Sequence, residues 1–343
     1  MLNDSNARQE LAKQINKKID EYAQETYYDG FRKHLGGSII GDDCLRKIWY
    51  SFRWVKETLP EGRLLRLFNR GHLEEFRFVE YLRGIGFEVY EYSKRLIFNH
   101  AAGQYELLGW FSGIPFGPGE NGNPDLEDVT NSPWHVDRAK EQGVKLEQFR
   151  ISSCEGHFGG SLDGIAKPPV ALGLPENTFF LLEFKTKSSK GFPALVKNRV
   201  IKEAPQHYAQ MCVYGSDETY NLDYGLYMCV NKNTDEMHIE IVPLSKHKGD
   251  RMRKRAQDIV FASADDAPPK ISQQPSYFKC TYCEFKDVCH DNAPKAKNCR
   301  SCRFALPGVD KNWACSNGDS DWYNEFLKDD VIAKGCHAWT PVD

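Results

Sequence analysis

The chain has 343 residues, with 45 Lys and Arg against 48 Asp and Glu, 41% hydrophobic residues and 11 cysteines. This length predicts about two domains or one large domain with appendages, and the composition is typical of a globular protein. The net charge of −3 excludes a globally basic nucleic-acid coat, although it allows a local basic groove. No apolar run approaches the roughly 20 residues of a membrane span, and the polar N-terminus lacks a signal-peptide core. We therefore expect an intracellular, cytoplasmic protein without a membrane partner.

Hydrophobic periodicity and turn residues predict an alternation of helices and strands, which indicates an α/β fold. In chain order, the predicted elements are a helix at 6–28, a stronger helix at 63–83, a strand pair at 87–98, a long loop or insertion at 111–147, three short strands at 149–187, a helix starting near Pro205, a hairpin at 222–244 with its turn at 231–235, and a basic helix at 246–263.

The motif with the clearest chemistry runs from SLDG at 161–164 to LLEFKTK at 181–187. Strand alternation places Glu183, Lys185 and Lys187 on one face, with apolar side chains on the other. Asp163 ends the neighbouring strand or turn. A Mg²⁺ ion between Asp163 and Glu183 would stabilise two half-buried carboxylates, and an ordinary Glu–Lys surface pair is the alternative.

Two predicted helices carry polar residues that bear on this motif. Glu75 lies in the centre of an apolar stripe, where it is either an ion-pair partner or a site residue, and Gly71 leaves room beside it. Gln206, Gln210 and Tyr214 share one face of the helix near Pro205, a pattern that simple surface exposure would also explain. The residues of the stripe are Leu64, Phe68, Gly71, Glu75, Val79 and Leu82.

Together these segments resemble the signature of the PD-(D/E)XK nuclease superfamily, in its RecB-like branch. The resemblance covers residues 38–290, and Leu162 takes the place of a proline that RecB-like members often lack. The matching segments are RGHLEE at 70–75, HFGGSLDG at 157–164, EFK at 183–185 and QMCVY at 210–214.

The resemblance implies a restriction-endonuclease-like core, with a central mixed sheet flanked by helices, that hydrolyses phosphodiester bonds in DNA. Asp163, Glu183 and the carbonyl of Phe184 would hold Mg²⁺ or Mn²⁺, with Glu75 reaching the metal directly or through water. Lys185 would orient or deprotonate the attacking water and offset charge in the transition state.

The remaining site residues have two possible roles each. His157 would contact a second metal or the scissile phosphate, or would be a structural hydrogen-bonding histidine. Gln206, Gln210 and Tyr214 would contact the DNA backbone or brace Lys185.

Basic and aromatic residues provide candidate contacts to DNA. For the basic residues, the alternative is a charged surface that only contacts solvent. For the aromatic residues, which could stack on bases, the alternative is a place in the hydrophobic core. The basic candidates are Arg46, Lys47, Lys187, the segment Lys185–Lys190 and the segment Arg251–Arg255, and the aromatic candidates are Trp49, Tyr50, Phe52 and Trp54.

Seven of the 11 cysteines follow residue 279, and C-x2-C pairs in a reducing compartment indicate metal ligation. Cys280, Cys283 and Cys289 form a run one thiolate short of a closed site. The segment GDDCLRK around Cys44 resembles the start of iron–sulfur RecB-like nucleases, which include the AddB type and the CRISPR-adaptation nucleases. That resemblance implies a 4Fe–4S cluster held by Cys44 and the three later cysteines, with a four-cysteine zinc site as the alternative.

A second set of four cysteines, Cys299, Cys302, Cys315 and Cys336, suits a structural Zn²⁺ ion. His290 and His337 are alternative ligands to one of them.

These patterns divide the chain into four predicted segments. They are an N-terminal helical region at 1–62, the nuclease core at 63–263, the cluster segment at 264–292 and a zinc-binding tail at 293–343.

The sequence thus predicts a metal-dependent exonuclease acting on DNA ends or single strands in recombination, repair or phage DNA processing, with a recombination or replication protein as a further partner. Two other hypotheses stay open: a structure-specific endonuclease of the same fold, and a non-catalytic iron–sulfur and zinc protein that binds DNA.

Overall fold

The computed structural model describes residues 5–57, 59–109 and 126–342 of a mixed α/β protein. Within these ranges, no helix combines the length and apolar character that a membrane crossing requires. The helices are α1 (Ser5–Tyr27), α2 (Leu45–Phe52), α3 (Gly62–Gly84), α4 (Pro133–Glu141), α5 (Phe192–Glu203), α6 (Pro205–Gly215), α7 (Lys246–Val260), α8 (Phe278–Thr281), α9 (Lys286–His290) and α10 (Asp329–Lys334). The strands are β1 (Leu35–Gly36), β2 (Glu88–Tyr90), β3 (Lys94–Asn99), β4 (Gln104–Gly109), β5 (Leu126–Asp128), β6 (Arg150–Ser153), β7 (Phe158–Ser161), β8 (Ile165–Lys167), β9 (Phe180–Lys187), β10 (Tyr224–Asn231), β11 (Met237–Pro243), β12 (Ala305–Pro307) and β13 (Trp313–Cys315).

The chain forms two compact units, and each is built from segments that are distant in sequence. Unit 1 contains Met1–His34, Asp43–Phe76 and Ile259–Asp343, and unit 2 contains Leu35–Asp42 and Arg77–Asp258. This grouping differs from the four consecutive segments expected from the sequence, because the N-terminal region and the cysteine-rich C-terminal region belong to the same unit.

Unit 2 is built around a five-stranded mixed sheet with the order β11-β10-β9-β8-β2. Strands β9 and β10 are parallel, and the crossover between them carries α5 and α6. The other neighbouring strands pair antiparallel. The predicted hairpin at 222–244 is confirmed as β10 and β11, and the predicted helix begins at Pro205, whose missing N–H suits a first helical turn.

One face of this sheet is apolar and packs against the C-terminal half of α3. Phe180, Leu182 and Phe184 of β9 belong to a buried cluster with Phe78 and Val79 of α3. The rings of Phe78 and Phe184 lie 5.1 Å apart. The alternation predicted for β9 is therefore confirmed, and its polar side chains occupy the opposite face. The predicted stripe on α3 is only partly buried, since Phe68 is 52% exposed.

A small three-stranded sheet and α4 form a separate cluster within unit 2. Strand β3 lies between β4 and β5, and buried residues including Leu96, Val129 and Ala139 connect this sheet with α4. The prediction of a loop across 111–147 is wrong for its second half, because Pro133 begins a helix directly after Ser132. The first half of that prediction lies outside the described residues.

Three further elements differ from those predicted. Residues 87–98 contain two strands, but β2 pairs with β8 and β3 with β4, so they do not pair with each other. The span 149–187 contains four strands rather than three. Helix α5 was not predicted, and its regular periodicity is interrupted at Arg199, which has a positive φ of 68°.

Candidate active site and cysteine sites

Asp163 lies in the short turn between β7 and β8, at the edge of β9. Its Oδ2 accepts a hydrogen bond from the backbone N–H of Phe184 at 2.7 Å, which fixes the carboxylate beside the middle of β9. The next residue, Gly164, has a φ of 152°, and a Cβ there would lie 2.9 Å from the carbonyl oxygen of Tyr90. A glycine is therefore required to turn the chain tightly at this point.

Glu183 and Lys185 form an ion pair on the polar face of β9. The carboxylate is 1% exposed and the lysine side chain 27% exposed. The Lys185 ammonium also donates to the carbonyl of Phe184 at 3.1 Å. Burial alone would lower the pKa of Lys185, but the charges of Glu183 and Asp163 outweigh burial and raise it above its ordinary value. The three charged groups predicted from the sequence are thus brought together.

The donor set fits a hard divalent cation. Two carboxylates and the Phe184 carbonyl are close to a single ammonium, so the cluster keeps a net negative charge. Mg²⁺ is held by one or two carboxylates together with water and phosphate oxygens. Across the described ranges, no group of three or more His, Cys, Asp or Glu side chains is already arranged to hold a metal ion. The occupancy of the site stays a prediction.

Helix α6 places the predicted glutamines and tyrosine beside this cluster. Tyr214 is 3% exposed and lies near Lys185. Its ring occupies space left by two glycines: a Cβ on Gly160 would lie 2.0 Å from the Tyr214 hydroxyl oxygen, and a Cβ on Gly37 would lie 2.6 Å from its ring. The close approach of Gly37 and Gly160 therefore fixes the position of the ring.

The two glutamines of α6 are not open surface groups. Gln210 is 6% exposed, and the Gln206 side chain donates to the carbonyl of Ser38 at 3.0 Å. Neither glutamine is therefore a simple exposed surface group, and their roles in contacting DNA or bracing Lys185 stay predictions.

His207 and Tyr227 were not identified from the sequence, yet they contact the same face of the sheet. Nδ1 of His207 lies 3.0 Å from the Tyr227 hydroxyl, and Tyr227 is the register partner of Glu183 on the parallel strand β10. Burial, and then the charges of Lys185 and Lys187, lower the pKa of His207 to about 3. The imidazole is thus neutral, and we assign the hydrogen bond as donated by Tyr227.

Two other predicted site residues stay predictions. Glu75 lies on the part of α3 that belongs to unit 1, where its Oε1 is 3.3 Å from Nδ1 of His72. His157 precedes β7 and is fully buried, and its carbonyl accepts the N–H of Leu35 at 2.7 Å. This burial agrees better with the structural alternative than with direct contact to a phosphate.

Within unit 1, Cys44 lies near the three cysteines of the 280–289 run. Burial raises the pKa of Cys280, Cys283 and Cys289, and the charge of Cys44 adds to the increase for each. Cys44 is the residue before α2, whereas Cys280 and Cys289 lie on α8 and α9. Cys44, which is distant in sequence, therefore lies within electrostatic range of the three later thiols. Their binding of one cluster stays a prediction, because within the described residues they are not already arranged as a metal site.

The basic side chains around this cysteine group are engaged in local contacts. Lys270 donates to the carbonyl of Cys289, and its charge lowers the pKa of that thiol, which burial raises. Arg46 donates to the carbonyl of Pro268 at 2.6 Å and lies over the ring of Tyr50. Arg46 thus has a structural role in unit 1. The predicted DNA contacts of Arg46, Lys47 and Lys187 stay predictions.

The aromatic candidates for base stacking belong to the core of unit 1. Trp49, Tyr50 and Phe52 are each at most 2% exposed. Trp54 stacks on Phe31 with a centroid distance of 4.9 Å. The alternative that these rings form the core is therefore confirmed for the first three. In the 251–255 segment, Arg255 donates to the carbonyls of Ile40 and Asp42.

The second set of cysteines also gathers within unit 1. Cys299, Cys302, Cys315 and Cys336 line one cavity, together with apolar and aromatic residues. Burial and the charges of the other three cysteines raise the pKa of Cys299 to about 12. The alternative ligand His337 has a side chain 66% exposed that lies 3.7 Å from Asp321, and it does not line the cavity.

Comparison with protein-family models finds no match, and no curated protein matches the chain. Among solved structures, the chain is similar to the protein in the crystal structure of SSO0001, with a TM-score of 0.39 and 11% sequence identity. The similarity covers 82% of this chain and 98% of that one. A likeness this distant carries no argument about fold or function.

Proposed function

We propose that the protein is a Mg²⁺- or Mn²⁺-dependent deoxyribonuclease of the RecB-like PD-(D/E)XK type, with a restriction-endonuclease-like core. The observation that carries the proposal is the grouping of Asp163, Glu183 and Lys185 at one point of β9. In this group a backbone hydrogen bond fixes Asp163, and Glu183 is buried against the lysine. Glu183 is buried and Asp163 is partly buried, and two carboxylates beside one ammonium are destabilised unless a further positive charge offsets them. A divalent cation bound for phosphate hydrolysis would supply that charge.

Each residue of the group has a role in this proposal. Asp163, Glu183 and the Phe184 carbonyl would hold the cation, which when bound supplies positive charge to the scissile phosphate. The Lys185 ammonium orients the attacking water and offsets charge that develops on the phosphate oxygens. Tyr214 and Gln210 brace the lysine from α6, which is supported by their burial.

We also propose a 4Fe–4S cluster held by Cys44, Cys280, Cys283 and Cys289. The support is the proximity of Cys44 to the other three thiols and the nearby cationic side chains of Lys270 and Arg46, which suit the negative charge of a thiolate-bound cluster. The cluster would act as a staple for unit 1, with no part in the hydrolysis.

The test is digestion of end-labelled linear and circular DNA, single- and double-stranded, with Mg²⁺ or Mn²⁺. An exonuclease shortens linear DNA progressively and leaves circles intact, whereas the alternative endonuclease cuts circles. Asp163→Ala, Glu183→Ala and Lys185→Ala should each lower the cleavage rate by at least about 100-fold, and combining them should add little because all three act on one phosphate. Near-normal turnover by Glu183→Ala would overturn the site. Binding of DNA without cleavage in any condition would favour the non-catalytic alternative.

A further inference from the structure

We propose that Cys299, Cys302, Cys315 and Cys336 hold one Zn²⁺ ion as four thiolates, and that two buried arginines, Arg53 and Arg300, balance the charge of this centre. The four cysteines line one cavity in unit 1, and four thiolates that include a C-x2-C pair are a ligand set that structural Zn²⁺ sites use. The inference extends beyond the proposed nuclease, since it concerns a different set of residues.

The backbone around the first two cysteines has the form of a metal knuckle. The N–H of Cys302 donates to the carbonyl of Cys299 at 3.0 Å, which closes a tight turn. The Asn298 side chain accepts the N–H of Ser301 at 2.9 Å and fixes the start of that turn. Strands β12 and β13 then place Cys315 opposite Ala305. Three of the ligands are thus held on short, hydrogen-bonded segments.

The unusual feature of this region is a pair of buried guanidinium groups. Arg53 and Arg300 are each 1% exposed, and among the described residues neither forms an ion pair with a carboxylate. The Nε atoms of both and Nη2 of Arg300 have no hydrogen-bond partner in that part of the chain. Their other N–H groups donate to backbone carbonyls, Arg53 to those of Ala305 and Cys302 and Arg300 to that of Lys33. Carbonyl groups carry no net charge, so two buried cations side by side still require a counter-charge.

Aromatic rings account for only part of the compensation. The Arg300 guanidinium lies 4.3 Å from the ring centroid of Trp54 and 4.8 Å from that of Trp313, and Arg53 lies 5.2 Å from the same Trp313 ring. A desolvated cation–π contact is favourable, but it is weaker than the cost of burying the charge. The two cations also share one ring and repel each other.

The charge of a zinc tetrathiolate supplies the rest. Four thiolates and one Zn²⁺ carry a net charge of minus two, which two guanidinium groups neutralise. Both arginines are placed for this role, because Arg300 lies inside the C-x2-C turn and Arg53 Nη2 donates to the Cys302 carbonyl at 2.7 Å. A site with three thiolates and His337 would carry one negative charge fewer, and His337 does not line the cavity.

The test measures zinc in the full-length, reduced protein. Wild type should contain about one zinc per chain that Cys302→Ser lacks. Arg53→Met and Arg300→Met keep an apolar stem but remove the charge, so each should weaken zinc binding by about 10- to 100-fold in competition with a chromophoric chelator. The control is Arg303→Met, because Arg303 is 37% exposed and pairs with Asp265, and its loss should leave the affinity unchanged.

Thermal unfolding after zinc removal separates charge balance from simple packing. Without zinc, the Met variants should unfold at the same temperature as wild type or a higher one, because an uncompensated buried charge has gone. The charge-balancing role of the arginines would be overturned if the Met variants bound zinc as tightly as wild type and unfolded at equally lowered temperatures with and without zinc. Equal zinc contents in wild type and Cys302→Ser would overturn the site. None of these measurements depends on DNA cleavage.

Discussion

At the scale of single residues, the decisive feature is that one ammonium serves two carboxylates. Lys185 pairs with Glu183, while Asp163 accepts the N–H of Phe184 and contributes its charge to the same small volume. A divalent cation entering this group competes with Lys185 for the Glu183 carboxylate. Metal binding therefore opposes the ion pair of Lys185 with Glu183. A variant that lacks the lysine charge separates the effect on metal affinity from the effect on catalysis.

Lys185→Met should separate catalysis from metal binding. We expect the cleavage rate to fall by about 10²- to 10³-fold, because a charge that stabilises the transition state is lost. Mn²⁺ affinity should stay equal or increase, because a competing cation has been removed. Glu183→Gln should lose both properties. Calorimetric titration with Mn²⁺ and single-turnover cleavage measure the two effects, with Lys246→Met as a control on an exposed lysine. A Lys185→Met protein that no longer binds Mn²⁺ would contradict this assignment.

The His207–Tyr227 contact predicts a pH dependence of stability. The groups facing His207 are Lys185 and Lys187 on β9 and Tyr227 on β10, and burial with the two lysine charges lowers the pKa of His207 to about 3. The unfolded chain binds a proton near its ordinary pKa of about 6.5, so stability is lost as pH falls from about 6.5 toward 3.

Urea unfolding of wild type and His207→Gln at pH 7.5 and pH 5 tests this dependence. Between pH 7.5 and pH 5, the free energy of unfolding of wild type should fall by up to about 1 kcal/mol per pH unit more than that of the variant. The reason is that His207 binds a proton in the unfolded wild-type chain and not in the folded one. Parallel pH profiles of the two proteins would show that folding does not lower the pKa of His207.

At the scale of elements, the site depends on how closely α6 approaches β7 and the segment before α2. Gly37 and Gly160 leave the space that the Tyr214 ring occupies, so the ring is positioned by the absence of two side chains. No other residue type allows this approach without displacing the ring.

Gly160→Ala should therefore displace Tyr214 and impair the site. A Cβ 2.0 Å from the tyrosine hydroxyl oxygen cannot be accommodated, and we expect a loss of about 1–3 kcal/mol in stability together with reduced cleavage. Gly109→Ala on β4 is the matched control, because a Cβ there meets no atom of the described residues within 4 Å. Denaturant unfolding and cleavage assays of both variants check the prediction. Equal behaviour of the two variants would remove the argument for a fixed ring.

The sequence predicts those elements whose periodicity is simple. The alternation of β9 predicts which side chains lie on its apolar face and which on its polar face, because every second residue from Phe180 to Phe184 is apolar. Helix α5 escapes prediction because it is interrupted at Arg199, and α4 because it lies beside a Gly- and Pro-rich stretch. The separate pairing of β2 and β3 depends on long-range partners, which no local pattern encodes. His207 was missed because its significance depends on Tyr227 of another element.

At the scale of the whole molecule, unit 1 is assembled from distant segments, and its cysteines were the only sequence signal of that assembly. Lys56 pairs with Asp287 at 2.7 Å, the N–H of Ala296 donates to the carbonyl of Val55 at 2.8 Å, and Arg53 donates to the Cys302 carbonyl. Sequence patterns predict only consecutive segments of the chain, because they do not report contacts between distant residues. The proximity of Cys44 to the 280–289 run shows why that division differs from the fold.

Because of this assembly, we expect the loss of a cysteine from one set to affect stability differently from the loss of a cysteine from the other. The Cys44 set closes a loop that contains most of the chain, and closing a long loop restricts the unfolded state strongly. Cys283→Ala should therefore destabilise unit 1 as a whole and bleach the brown colour expected of anaerobically purified protein with about four irons per chain. The Cys302 set closes a shorter loop, so Cys302→Ala should lose zinc and keep the colour.

Iron and zinc analysis with visible absorption of both variants decides between the two ligand sets. A colourless wild type with zinc at both sites would replace the cluster by a second zinc ion and leave the nuclease proposal intact, because thiolates suit both metals. Bleaching by Cys302→Ala would instead mean that the ligand sets are divided wrongly. Zinc affinity should depend on Arg53 and Arg300, because we assign their buried charges to the proposed zinc centre. The brown colour should depend on neither arginine.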